Sequence, residues 1–443
     1  MNQQSKRAPA GSRRRVAVIG SGVSGLTAAW VLQRTADVTL YEADSRLGGH
    51  ADTHDVTGRG GPALAVDTGF IVHNERTYPT LLRLFAELGV ATQDSDMSMS
   101  VHCDGCGLEY AGARGIGGLL ASRTAASPRY LRMLGEVVRF HRSARALLAT
   151  PDDGGADTTL DEFLAAGRFS RFFIEHFKHP MVSAVWSSVP ATSGRYSARY
   201  LFAFLANHGM LSVTGSPPWK TVVGGSRSYV ERVGKELTAV RTSTPVRALR
   251  RVGSGVEVVD ESGELVRYDA AVVAAHPDQA LRLLTDPTAA EREVLGAFEY
   301  SRNETFLHTD STLLPLAPRA QASWNYRIGG CHAPAYAGRG DQPASDDGVL
   351  VSYDMTRLQR LPTGDERFIV TLGGAARIRP DSVLARMSYE HPTYTPESIA
   401  AQRRLPELSG SSLAYAGAYH GWGFHEDGAL SGVRAAAALG ATW

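Results

Sequence analysis

Cysteine is scarce in this sequence, and neither sign of charge is in surplus. Only Cys103, Cys106 and Cys331 occur in 443 residues, which points to a reducing compartment and cannot supply a four-thiolate zinc site. Cys103-Asp-Gly-Cys106 has metal or redox spacing, but no second cysteine pair and no His-x-x-x-His lies nearby. The pair therefore reads as a hairpin turn, and no metal is assigned. With 46 basic and 45 acidic residues the net charge is +1, so no overall field favours nucleic acid or an acidic membrane. No apolar run reaches the roughly 18 to 20 residues of a spanning helix, which leaves room only for peripheral membrane contact. No G-x-S-x-G elbow, H-E-x-x-H helix or Walker loop is present, which removes the common hydrolase, zincin and NTPase readings. Internal repeats and long low-complexity tracts are also missing.

What remains is ordinary globular material, 43% hydrophobic and 21% charged, long enough for two or more domains. A cytoplasmic enzyme is the default expectation. Arg13, Arg14 and Arg15 ahead of an apolar stretch look superficially like a twin-arginine export signal. That stretch is also the start of the best motif in the chain, so Met1 to Ser12 reads as a short disordered tail.

Arg15-Val-Ala-Val-Ile-Gly20 is a β-branched run typical of a buried parallel strand. Gly20-Ser-Gly22-Val-Ser-Gly25 follows it directly, Leu26 to Arg34 has helical character, and Asp37 to Glu42 is a second strand ending in an acid 22 residues after Gly20. This is the strand, turn, helix and acid of a dinucleotide-binding βαβ unit. Gly20 permits the tight turn, Gly22 the approach of a pyrophosphate and Gly25 the packing of helix on strand, with Val23 and Ser24 in the first turn. The helix N-terminus attracts the phosphates, and Glu42, followed by Ala43, is placed to accept hydrogen bonds from a ribose.

The continuation Glu42-Ala-Asp-Ser-Arg46-Leu-Gly48-Gly49 resembles the flavin amine oxidase superfamily, in which E-x-x-x-R-x-G-G follows the glycine motif. The resemblance implies non-covalent FAD, with Arg46, Gly48 and Gly49 along its pyrophosphate and ribityl chain. It also implies that Asp67-Thr-Gly69-Phe70 passes near the flavin ring and that Val246 contacts adenine. Gly417 through Asp427-Gly428-Ala429 would bring a helix N-terminus to the flavin pyrimidine edge. There the dipole favours the negative charge of reduced flavin, so Glu426 and Asp427 are expected to cap the helix and face away. The acid that often follows the glycine in that superfamily is Ala418 here.

The implied fold is α/β: a Rossmann-type FAD-binding domain of the amine oxidase and glutathione-reductase-like type, with an inserted α+β substrate domain. The expected division is 13–90, 218–290 and 396–443 for FAD, and 91–217 with 291–395 for substrate. Three short strands after Pro245 read as a meander, Arg129 to Leu148 and Phe163 to Phe177 as helices, and Asp152 to Asp157 and Ala337 to Asp347 as loops. Gly112 to Gly117 lacks the strand and acid of a second dinucleotide site, which argues against a nicotinamide-fed reductase.

Asn207-His208-Gly209, Trp219 to Arg232, Tyr300 to Asn303 and Trp324-Asn325-Tyr326 resemble a narrower bacterial group, often encoded beside cyclopropane-fatty-acyl-phospholipid synthases. That likeness implies a lipophilic substrate such as an unsaturated or methyl-branched acyl chain, and a lipid methyltransferase as partner. The candidate catalytic residues are His420, Trp422, Tyr326 and His208, and Trp324, Trp422 and Asn207 are candidates for substrate contact. Lys220 is a further candidate, because amine-oxidizing relatives often hold a water near the flavin with a lysine.

Overall fold

The computed structural model describes residues 13–58, 61–151, 158–186, 193–212, 216–331 and 350–443. The tail Met1 to Ser12 and the loops Asp152 to Asp157 and Ala337 to Asp347 lie outside the described residues.

Strand β1 (Arg14–Ile19), helix α1 (Val23–Leu32) and strand β2 (Ala36–Tyr41) form the amino-terminal βαβ unit. Val16, Ala17 and Val18 are buried on both faces of the sheet, as the unbroken apolar run demands. The sheet is parallel, in the order Ala239–Arg241, β2, β1, Ala270–Val273, Leu413–Tyr415. Strands adjacent in space are thus separated by up to some 250 residues of chain. Its one face packs against α1 and the helix His425–Ala438. The other packs under the antiparallel meander Val246–Val252, Gly255–Asp260, Leu265–Tyr268 and the helices Pro277–Leu283 and Ala289–Leu295.

A second, seven-stranded sheet draws only on chain outside that core. Its order is Val383–Thr393, Glu299–His308, Ile369–Leu372, Val351–Asp354, Trp324–Ile328, Met99–Cys103, Glu109–Ala111, antiparallel except where Trp324–Ile328 meets Met99–Cys103. A helical layer with a phenylalanine-rich core adjoins it, built around Pro128–Ala149 and Ala198–Asn207. The single helix expected over Phe163 to Phe177 is broken. Thr159 and Glu162 form a capping box that starts a helix at Leu160, and Ala166 ends it. Arg168 turns left-handed (φ 49°) and Ser170 caps a fresh start, from which the chain passes through a π-helical turn, Ile174–Lys178, into His179–Trp186. Periodicity alone misses this, because both halves bury the same phenylalanine face. No helix among the described residues is long and apolar enough to cross a membrane.

Candidate active site

A cavity of about 690 Å³ opens where the C-terminal ends of β1, β2 and Ala270–Val273 face the second sheet and its helices. This is where an open parallel sheet binds its ligand. Gly20, Ser21, Gly22, Val23, Ser24, Glu42, Ala43 and Val246 line one end. Gly20 has φ +98°, and a Cβ there would lie 2.5 Å from the Ala274 carbonyl oxygen, while one on Gly25 would lie 1.9 Å from the Gly20 oxygen. Both are demanded by close approach. A Cβ on Gly22 would meet nothing within 4 Å, and no side chain caps α1. The free N–H groups of a helix start therefore meet open space, a fit to a pyrophosphate.

Glu42 braces this turn. Its Oε2 accepts from Ser21 N at 2.9 Å and Ser21 Oγ at 2.5 Å, and its Oε1 from Asp44 N at 2.8 Å. A carboxylate has about four acceptor sites, so one is left for a ribose hydroxyl. Gly49, Gly69, Phe70 and Gly417 continue the wall. Gly48 instead donates to Ser21 Oγ from behind the turn, and Arg46 lies outside the lining, paired with Asp52 at 3.1 Å.

The carboxy-terminal helix begins against the first turn of α1, Gly428 close to Val23, with Ala429 buried beneath. Asp427 accepts from Phe424 N at 2.9 Å and so caps its own helix. Glu426 caps a different one: its two oxygens accept from Thr80 N and Leu81 N, both at 3.0 Å, at the start of Pro79–Leu88. Neither carboxylate lines the cavity.

The far wall comes from the second sheet and the helical layer, including Trp186, Phe204, His208, Trp324 and Tyr353, with Trp219 from the short separate strand Trp219–Val222. His208 Nδ1 donates to the Phe204 carbonyl at 3.0 Å, and burial pushes its pKa down. The ring is therefore neutral, with its lone pair on Nε2. Trp324 keeps a buried Nε1 with no hydrogen-bond partner. Five other candidates do not reach the wall. His420 sits in a 3-10 turn against Tyr419, and Trp422 packs on Tyr200 and Phe204 while its carbonyl accepts from Trp186 Nε1 at 3.0 Å. The turn ends at Gly423 (φ +91°); Ala418 and Tyr419 before it and Gly423, Phe424 and His425 after it line the cavity, while His420 and Trp422 do not. Tyr326 is buried beside Ser183, and Asn207 offers its carbonyl to Arg76 at 2.7 Å. Lys220 pairs with Asp94 and Glu75 at 3.5 and 3.7 Å, away from the cavity.

Sequence reasoning passed over His50, His276 and His391, which line the cavity together with His425 of the candidate segment Tyr419 to His425. His50 packs on Tyr389 and His391, and His425 stacks on Phe70 with centroids 3.7 Å apart. Burial, reinforced by the neighbouring imidazole His276, holds His391 down to about 4; burial and His73 take His425 to about 3. These rings offer hydrogen bonds without charge. His50 could have been suspected from its place directly after Gly48-Gly49; His391 carries no local signal.

Comparison with known proteins agrees with this architecture. The coproporphyrinogen III oxidase of Mycobacterium tuberculosis is 25% identical over 456 residues, covering 91% of this chain and 92% of the relative. Among solved structures, cyclohexylamine oxidase from Brevibacterium oxydans superposes with TM-score 0.68 at 17% identity, covering 96% of this chain and 98% of that one. A CLA-producing fatty acid isomerase from P. acnes gives TM-score 0.61 at 15% identity, over 95% and 97%. The profile of the family described as flavin containing amine oxidoreductase matches residues 23–360, well over half of the chain, and with a cavity shaped for the dinucleotide this protein belongs to that family as an FAD-dependent oxidoreductase.

Proposed function

We propose that the enzyme removes hydride from, and so desaturates, a lipophilic substrate of the fatty-acyl or phospholipid type. The observation that carries this reading is the chemistry of the far wall: among the described residues it is aromatic and aliphatic, with neutral imidazoles, no lysine, arginine or aspartate, and a single acid, Glu390, on the edge strand Val383–Thr393. Of the charged residues on the cavity, Glu42 braces the glycine turn, Arg282 belongs to the helix Pro277–Leu283 over the parallel sheet, and Glu390 is engaged with His276 at 3.2 Å. A porphyrinogen bearing several carboxylates would need cations that this wall lacks. An acyl chain needs only apolar surface.

Bound FAD supplies the hydride acceptor. The protein's part is to hold a C–H about 3 to 3.5 Å from the reacting atom and to exclude water. Phe70, Phe424 and Trp324 wall the chamber. In this reading His208 takes the proton on Nε2, supported by its position on the cavity wall and its Nδ1 bond to the Phe204 carbonyl.

The test is anaerobic mixing with monounsaturated and methyl-branched fatty acids or phospholipids, followed at the oxidized flavin band. Bleaching by acyl substrates is expected. Bleaching by primary or secondary amines with no response to any lipid would transfer the protein to amine oxidation. The similarity to a fatty acid isomerase favours one variant of the same reading, redox-neutral double-bond migration, which would give product without consumption of an electron acceptor.

A further inference from the structure

The three cysteines assigned to no metal in the sequence do not stay apart in the fold. Cys103 and Cys106 flank the turn of the hairpin between Met99–Cys103 and Glu109–Ala111, which Gly107 closes through N–H to the Cys103 carbonyl at 2.9 Å and φ +69°. Cys331 arrives from the end of Trp324–Ile328, the strand paired with Met99–Cys103. His176 arrives from the π-helical turn of the helical layer. The three sulfurs and one imidazole nitrogen all lie within 4.8 Å of one another.

We propose that Cys103, Cys106, Cys331 and His176 bind a single zinc ion that staples the hairpin, its neighbouring strand and the helical layer together. Tetrahedral zinc with bonds of about 2.3 Å to sulfur and about 2.0 Å to nitrogen separates sulfurs by about 3.8 Å and sulfur from nitrogen by about 3.5 Å. Cys106 Sγ lies 3.4 Å from His176 Nε2, on that edge of the tetrahedron. The histidine is oriented independently of the cysteines. His176 Nδ1 lies 3.1 Å from the Phe172 carbonyl, which can only accept, so the lone pair is on Nε2 and aimed at the cluster; this outer hydrogen bond is typical of a metal-bound imidazole. The ring is stacked on Phe172 at 4.0 Å and fully buried. Gly105 makes room for the third sulfur, since a Cβ there would lie 2.9 Å from Cys331 N and 3.3 Å from its Sγ.

The donor set selects the ion. Three thiolates and an imidazole in a closed site suit zinc and not magnesium or calcium. A disulfide would use two of the sulfurs and leave the third and the histidine without purpose, and no disulfide joins any of the three here. None of the four ligands lines the active-site cavity, so the ion is structural. It joins positions 225 residues apart in the chain, as a cross-link between two strands would.

Metal analysis of the purified flavin-loaded protein, prepared without added metal or affinity-tag chelators, tests this directly. The expected result is about one zinc per chain, released in step with mercurial titration of the three thiols. Growth on cobalt should add the visible bands of tetrahedral thiolate-bound cobalt(II) to the red of the flavin absorption. Cys331→Ser and His176→Asn should each lose most of the metal and lower Tm while keeping the flavin spectrum. Native protein with no bound metal and three freely titrating thiols, a Cys103–Cys106 disulfide by mass spectrometry, or iron with acid-labile sulfide would each overturn the proposal. The wild-type measurement stands whether or not the variants fold.

Discussion

Glu42 holds the cofactor turn from beneath while facing the cavity, so its charge matters twice. Glu42→Gln should weaken FAD binding by about 1.5–3 kcal/mol, the worth of hydrogen bonds to a charged group, or roughly 10- to 100-fold. Flavin fluorescence titration of the deflavinated protein measures it. Asp67 is a buried acid of the opposite kind. Its carboxylate accepts from Ser226 N and from the Thr53, Ser226 and Gln359 side chains, yet burial outweighs these bonds and lifts it from 3.8 to about 6. Because the folded value is raised, the protonated form favours folding: the contribution is full below about pH 4 and is lost as pH rises through about 6. The shift is worth roughly 3 kcal/mol. The stability of wild type relative to Asp67→Asn should therefore fall by about that much between about pH 4 and about pH 7, read by denaturant unfolding. A constant difference across that range would remove Asp67 as the titrating group.

Among elements, the carboxy-terminal helix is tied to the rest through its acids. Glu426 closes the first turn of Pro79–Leu88 where no side chain of that helix does so. Glu426→Ala should cost about 1–3 kcal/mol by leaving two backbone donors unpaired, seen as a lower Tm with the flavin retained, and Glu426→Gln should recover part of the loss. Both acids were expected from the sequence to cap and face away. That Glu426 caps a helix more than 300 residues distant was not legible, because a capping motif names an acceptor and not its donor. The broken helix after Phe163 teaches a related lesson: its helical character was read from the sequence, whereas the capping box at Thr159 and Glu162 and the left-handed Arg168 were not.

For the whole molecule, the cavity divides the work between two sheets. Truncating the far wall should leave cofactor binding alone. Trp324→Ala should raise KM for an acyl substrate about 10- to 100-fold, from the roughly 1.5–3 kcal/mol of apolar contact removed, with an unchanged flavin spectrum. Conversely, FAD at about 100 times its Kd should stabilise the apoprotein by about 2.7 kcal/mol, measured as a rise in Tm. The amino acid sequence by itself determined the cofactor end, since strand, glycine turn, helix and Glu42 are contiguous and each is required by local backbone geometry. It determined the family through the continuation to Arg46, Gly48 and Gly49. Tertiary structure alone decided which of the candidate aromatics and histidines reach the chamber. His208 and Trp324 do, while His420, Trp422, Tyr326 and Asn207 do not, because the direction of a side chain after a turn such as Gly423 depends on packing. Only the fold, too, could bring Cys331 and His176 to Cys103 and Cys106, for proximity between distant segments is set by strand pairing and helix packing, to which no short motif refers.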